Sequence, residues 1–231
     1  MPWMYRLNLP GSTGGFLGRC AAPERDEAVA RALDSMGEGR RLIQAEQVHG
    51  GDIAVVTEEM VERDATTLPG VDALVTNLPH AALAIYVADC LAIYLADVRG
   101  RAVGLAHGGW RGLAASIPVA LVDALAEVAG GSAAEMRAAL SPCIRGCCFE
   151  VGEEVATRFD HIRGAVDRSG PEPHVDMIAV AAEQLRAAGV PGGSIEVMDG
   201  CTRCDPESFA SYRWDPERCG RNVALIGRKS G

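Results

Sequence analysis

The chain has 231 residues, 48% hydrophobic and 23% charged, proportions of a folded globular protein and not of a disordered or fibrous one. It is long enough to bury a sizeable core without disulfide staples. Acidic side chains outnumber basic ones 31 to 22 for a net charge of −9, and no Lys/Arg cluster tracks a phosphate backbone, which argues against duplex nucleic acid as a partner.

The elements follow in chain order. A loop, Pro10-Gly11-Ser12-Thr13-Gly14-Gly15, opens the chain. An amphipathic helix is expected from about Pro23 to Met36, carrying Val29, Ala32 and Leu33 and stopped by Gly37. Short runs rich in Val, Ile, Leu and Tyr then read as strands: Ile53–Val56, Ala73–Val75, Leu83–Val87, Leu91–Leu95 and Ala102–Leu105. The longest apolar stretch, Ala81 to Leu95, is broken by Asp89, and its uncharged part falls short of the roughly 20 residues that cross a bilayer. No basic segment followed by an apolar run opens the sequence, so a cytoplasmic protein without a membrane segment is expected.

Closely after Gly112 a helix places Leu121, Val122, Leu125 and Val128 on one face, with Ser116 as its cap and Pro118 in the first turn. Glu150, Glu153 and Glu154 open another, where carboxylates favour the N-terminal dipole. Asp176 caps a third, bearing Ile178, Ala181, Ala182 and Leu185 and ending at Gly189. Strands near Ser194–Met198 and Val223–Ile226 close the chain. Strands gathered in the middle, with helices before and after instead of in strict alternation, favour an α+β fold of layered mixed sheets flanked by helices, formed as a single domain over residues 1–231.

Three segments carry metal-competent side chains: Gln47-Val48-His49-Gly50, Ala88-Asp89-Cys90 and His107-Gly108-Gly109-Trp110-Arg111-Gly112. Each lies at a strand end or in the adjoining loop. His49, Cys90 and His107 are too far apart in sequence for a compact zinc finger, so a site built from them needs tertiary assembly. Two imidazoles and a thiolate form a set that zinc accepts, leaving a fourth position open; spacing alone equally allows a core cysteine and two loop histidines.

These segments, followed by SPCIRGCCFEVG (141–152), Cys201-Thr202, SYRWD and GRNVALI, resemble the purine nucleoside phosphorylase family formerly called multicopper polyphenol oxidases or laccase-domain proteins. The resemblance runs from roughly residue 40 to 227. It implies a cysteine-hydrolase-like fold and zinc bound by His49, Cys90 and His107. It also implies phosphorolysis of adenosine, inosine or methylthioadenosine, with adenosine deamination at the same metal, in a monomer or weak homodimer whose partners are the small-molecule nucleoside and phosphate. The chain departs from the family pattern at its opening loop, Ser12-Thr13-Gly14-Gly15-Phe16, and at Ser141, Cys143 and Ala210.

Phosphate attack on an N-glycosidic bond needs a cationic cradle and stabilisation of the departing purine. Arg111, in a glycine-lined turn opening a helix, is the expected phosphate ligand; the other reading pairs it with a nearby carboxylate. Asp89 is read either as a general acid or base or as a residue that orients a ligand histidine.

Relatives with this pattern are also linked to the editing of peptidoglycan precursors. A cysteine or zinc hydrolase with Cys90 and His107 as nucleophile and base is therefore the alternative function, and a non-enzymatic metal-binding or partner-binding domain is a third. Copper oxidation is disfavoured, because five histidines are too few for a multicopper centre. Cys147-Cys148 and Cys201-x-x-Cys204 leave open a cysteine-only metal site or a redox pair. Packing as small hydrophobes is the simpler reading, since no thioredoxin-like βαβ pattern surrounds them.

Overall fold

The structure is a computed structural model describing residues 4–20, 24–63 and 66–229. In chain order its elements are β1 (Tyr5–Arg6), β2 (Ser12–Cys20), α1 (Glu24–Met36), β3 (Arg41–Ala45), β4 (Ile53–Val55), α2 (Glu58–Glu62) and β5 (Thr67–Leu68). Next come β6 (Ala73–Thr76), β7 (Ala81–Val87), β8 (Leu91–Asp97), β9 (Val103–Gly108), α3 (Trp110–Ala114), α4 (Ile117–Ala129) and β10 (Met136–Leu140). The last are α5 (Glu153–Ala156), β11 (Val166–Asp167), β12 (His174–Val175), α6 (Met177–Ala187), β13 (Ile195–Val197) and β14 (Arg221–Arg228).

Two six-stranded mixed sheets form the core, ordered β1-β2-β14-β7-β3-β5 and β13-β10-β8-β9-β6-β4. Phe16, Leu83, Ile85, Tyr94 and Leu105 fill the space between them. α1 covers the outer face of the first sheet through Val29, Ala32 and Met36, and α4 and α6 cover the second through Leu121, Leu125, Ala181 and Leu185. The result is four layers, helix, sheet, sheet and helices, the expected α+β class. Because each sheet is covered on both faces, β7, β8 and β9 are buried almost throughout and read as continuous apolar runs instead of alternating ones. Among the described residues no helix is long and apolar enough to cross a membrane.

The opening loop is a correction: residues 12–15 belong to the nine-residue β2, which pairs antiparallel with β14. Gly14 has φ +139°, and a Cβ there would lie 2.2 Å from the Leu225 carbonyl oxygen, so glycines that suggest a loop instead let two strands approach closely. β3 and β10 are further strands that the apolar runs do not announce. The expected helix after Gly112 is two, since α3 starts at Trp110 before α4 begins. Ser116 holds the cap position of α4 in a left-handed conformation but makes no side-chain cap bond. Asp176 caps α6 as expected, accepting from the Ile178 and Ala179 N–H groups at 2.9 and 3.2 Å. Pro23 lies outside the described residues.

The site-bearing segments are where the chain passes between sheets. β3 leads into β4 through Gln47–Asp52, and β7 into β8 through Ala88–Cys90; each connection leaves the first sheet and enters the second. The apolar tract broken at Asp89 is therefore two buried strands joined by a crossing turn.

Candidate metal centre

His49, Cys90 and His107 converge, one ligand atom from each lying within 4.8 Å of the others. The imidazole rings meet edge to face with centroids 4.7 Å apart. His107 is delivered by β9, paired opposite Ala92 of β8, while His49 and Cys90 come from the two crossings. Both crossings hold unusual backbone: Gln47, His49 and Asp89 have φ of 64°, 61° and 78°, and Ser116 is the only other non-glycine residue with positive φ among those described. Such conformations cost on the order of 1–3 kcal/mol each and persist where surrounding bonds fix them.

Two side chains do the fixing. The Gln47 amide clasps the β7 backbone, donating to the Tyr86 carbonyl at 2.7 Å and accepting from the Tyr86 N–H at 2.8 Å. Asp72, fully buried at the start of β6, accepts from the N–H groups of Val48, His49 and Gly50 at 3.1, 2.9 and 2.7 Å. It also accepts from Nδ1 of His107 at 2.7 Å. One carboxylate thus shapes the turn that presents the first histidine and sets the tautomer of the second, leaving Nε2 of His107 as its free lone pair. Burial pushes the Asp72 carboxyl up, but the hydrogen bonds and charge of His107 with the Gly50 and His49 amides outweigh it and hold it below the usual range. Sequence reasoning missed Asp72; its one signal is an acid directly before the apolar run Ala73–Thr76.

The donor set fits a borderline-soft divalent ion. Burial raises the Cys90 thiol, yet hydrogen bonds and charge from His107 and His49 bring it down to about 7, so the thiolate that a metal needs is within reach near neutral pH. Gly109 backs the triad: a Cβ there would sit 3.3 Å from Sγ of Cys90 and from Cδ2 of His49.

The triad opens on a cavity of about 600 Å³, whose lining includes Asp89, Phe149, Tyr212, Arg213 and Arg221. Among the described residues it is Asp72, not Asp89, that hydrogen-bonds His107 and the His49 amide. Oδ1 of Asp89 accepts from the Thr202 hydroxyl and its Oδ2 from the Arg213 N–H, both at 2.6 Å. Arg111 is exposed on α3 with its guanidinium 4.3 Å from the Trp110 ring centroid, and it is not among the residues lining this cavity, whose arginines are Arg213 and Arg221. Ser141, where the resemblance leads one to expect glycine, is buried and accepts from the Ala92 N–H at 2.9 Å.

The sequence matches the family described as multi-copper polyphenol oxidoreductase laccase over residues 22–229. Purine nucleoside phosphorylase YlmD of Geobacillus stearothermophilus is 35% identical over 202 residues, 82% of this chain and 73% of that protein. Adenosine deaminase RL5, from an unknown prokaryotic organism, is 34% identical over 198 residues, 81% and 75% of the two chains. The crystal structure of YlmD from Geobacillus stearothermophilus superposes with a TM-score of 0.81 at 28% identity, covering 99% of this chain and 94% of that one. That of the Bacillus licheniformis hypothetical protein YfiH gives 0.82 at 28% identity over 94% and 93%. A match running through almost the whole length, joined by relatives above 30% identity, means that the chain belongs to this laccase-type family, several of whose curated members are named purine nucleoside phosphorylase.

Proposed function

We propose that the chain is a zinc-dependent purine nucleoside phosphorylase, converting adenosine, inosine or methylthioadenosine and phosphate to the free base and a pentose 1-phosphate. The observation that carries this reading is one cavity of about 600 Å³ bordered by a His-Cys-His triad and by two arginines. That volume accommodates a nucleoside with phosphate. His49, Cys90 and His107 would hold the zinc. Bound by three protein ligands, the ion would supply Lewis acidity toward the substrate.

The remaining work falls to side chains. A hydrogen phosphate oxygen forms the new bond to C1′ as the C1′–N9 bond breaks, its electron pair passing to the purine, which takes up the proton that the phosphate gives up. Arg213 and Arg221 supply the positive charge that binds the incoming anion, in place of Arg111. Each carboxylate oxygen of Asp89 already accepts one hydrogen bond and retains capacity for another, so Asp89 is suited to hold a donor group on the purine. Phe149 and Tyr212 add aromatic surface for the base.

A second reading, adenosine deamination at the same centre, is favoured by the relative named adenosine deaminase. Incubating purified protein with adenosine, with and without phosphate, separates the two. Adenine and ribose 1-phosphate formed only with phosphate support phosphorolysis, whereas inosine and ammonia formed without it support deamination. Arg213→Ala or Arg221→Ala is expected to raise the KM for phosphate about tenfold or more, the loss of a charged hydrogen bond. Arg111→Lys is expected to leave it unchanged. No conversion of any nucleoside by zinc-loaded protein would remove the proposal.

A further inference from the structure

Far from each other in sequence, Cys147-Cys148 and Cys201-x-x-Cys204 meet in space, a second gathering of metal-competent side chains in which the His-Cys-His centre has no part. Their sulfurs are 3.7 Å apart between Cys147 and Cys148, 3.8 Å from Cys147 to both Cys201 and Cys204, and 3.4 Å between Cys148 and Cys204. All four lie within 4.8 Å of one another. Four sulfurs arranged tetrahedrally around an ion at a Zn–S distance of about 2.3 Å are separated by about 3.8 Å along every edge. The arrangement needs only small side-chain adjustment to reach that figure.

The backbone is shaped for the task. The Arg145 carbonyl accepts from the N–H groups of Cys148 and Phe149, and the Cys201 carbonyl from those of Cys204 and Asp205, so each cysteine pair sits on a tight turn that points its sulfurs the same way. The Arg145 N–H donates to Sγ of Cys201 at 3.4 Å. An amide donor on a sulfur stabilises a thiolate and suits a ligand better than a packing residue. Packing does not account for the group: Cys148 rests against the core, but Cys147 and Cys204 are exposed and Cys201 is only half-buried. Four uncoordinated thiols crowded at a surface would be open to oxidation.

We propose that Cys147, Cys148, Cys201 and Cys204 form a tetrathiolate zinc site that fastens two loops into one wall of the cavity. An all-sulfur tetrahedral set with no open position is the structural class, favouring zinc over harder cations. The link matters where it falls. Cys148 precedes Phe149 of the cavity lining, and Cys201 precedes Thr202, which holds Asp89. The loops are separated by half a hundred residues and are otherwise linked by an isolated parallel β-bridge between residues 143 and 201, a 3.1 Å bond from the Thr202 N–H to the Cys143 carbonyl and the Arg145 N–H bond to Sγ of Cys201.

The test is metal content of the full chain in a His49→Ala/His107→Ala variant, which disables the first centre. About one equivalent of zinc should remain, and it should fall to background when Cys147→Ser and Cys204→Ser are added. Should these variants fail to fold, wild-type protein answers by alkylation. With zinc bound, Cys147 and Cys204 should resist iodoacetamide despite their exposure, and chelation should make them label. Zinc lost completely from a folded His49→Ala/His107→Ala variant, labelling of Cys147 and Cys204 indifferent to chelator, or a disulfide between any two of the four in freshly purified protein would each overturn the proposal. The activity of the nucleoside site does not enter any of these readouts.

Discussion

A thiol between two imidazoles can be a ligand or a nucleophile, and Cys90 decides between the phosphorylase and hydrolase readings. A zinc-bound thiolate is deprotonated but shielded, whereas a catalytic thiol is free to attack and form a covalent intermediate. With zinc bound, iodoacetamide is expected to spare Cys90, chelation to expose it, and zinc returned to untreated protein to restore activity. Rapid alkylation of Cys90 in zinc-loaded protein, with complete loss of activity, would favour the nucleophile. Asp72 offers a companion test. Asp72→Asn keeps the size of a side chain that accepts from three backbone amides and from His107, but it loses the charge that orients the histidine. Zinc affinity, measured by competition with a chelating dye, should fall about 10–100-fold; an unchanged affinity would show that the carboxylate only shapes the turn. His49, Cys90 and His107 are visible in the sequence because each stands in a distinctive short motif. Asp72 is not, because what it does depends on four partners brought to it by folding.

At the scale of elements, the middle strands were legible because sandwiched sheets leave unbroken apolar runs, and the helices because their caps and apolar faces stand out. β2 and β10 were obscured by composition: one contains three glycines and the other is rich in alanine, both poor strand formers. In β2 the reason for glycine is steric, which makes it testable. Gly14→Ala would force an L-residue to φ +139° with its Cβ 2.2 Å from the Leu225 carbonyl of β14, so the two strands must separate or the backbone must change. A loss of about 3 kcal/mol in urea unfolding is expected. An effect under about 0.5 kcal/mol, the size of an ordinary surface change, would mean that the β2–β14 pairing is looser than its register implies. The crossing turns have the opposite character. Their motifs are plain in the sequence, but their course from one sheet to the other follows from pairing between strands far apart in the chain, which periodicity does not encode.

Across the whole molecule, the two sheets are joined at both ends of β8 and β9. At one end stands the His-Cys-His centre. At the other the β8–β9 hairpin leans on the first sheet, where Arg228 donates from Nε to the Gly100 carbonyl at 2.6 Å and Gly11 packs against Gly100. Asp97 organises that hairpin from within. Almost fully buried, it accepts from the Arg99 and Arg101 N–H groups at 3.0 and 3.1 Å and from the Arg101 guanidinium at 3.0 and 2.7 Å. The Arg101 side chain, first of all, holds the Asp97 carboxyl below its ordinary value of 3.8; burial opposes this, while both amides and the charge of Arg101 reinforce it. A carboxyl whose pKa is lower folded than unfolded stabilises the fold fully above the unfolded value and loses that contribution as pH falls through the folded one. Asp97→Asn is therefore expected to lower stability by about 2 kcal/mol at pH 7. The difference from wild type should hold down to about pH 4 and then shrink as the wild-type carboxyl protonates. Urea midpoints for both proteins from pH 7 to pH 3 measure this directly, and a difference that stays constant across the range would show that the hairpin depends on the shape of residue 97 and not on its charge.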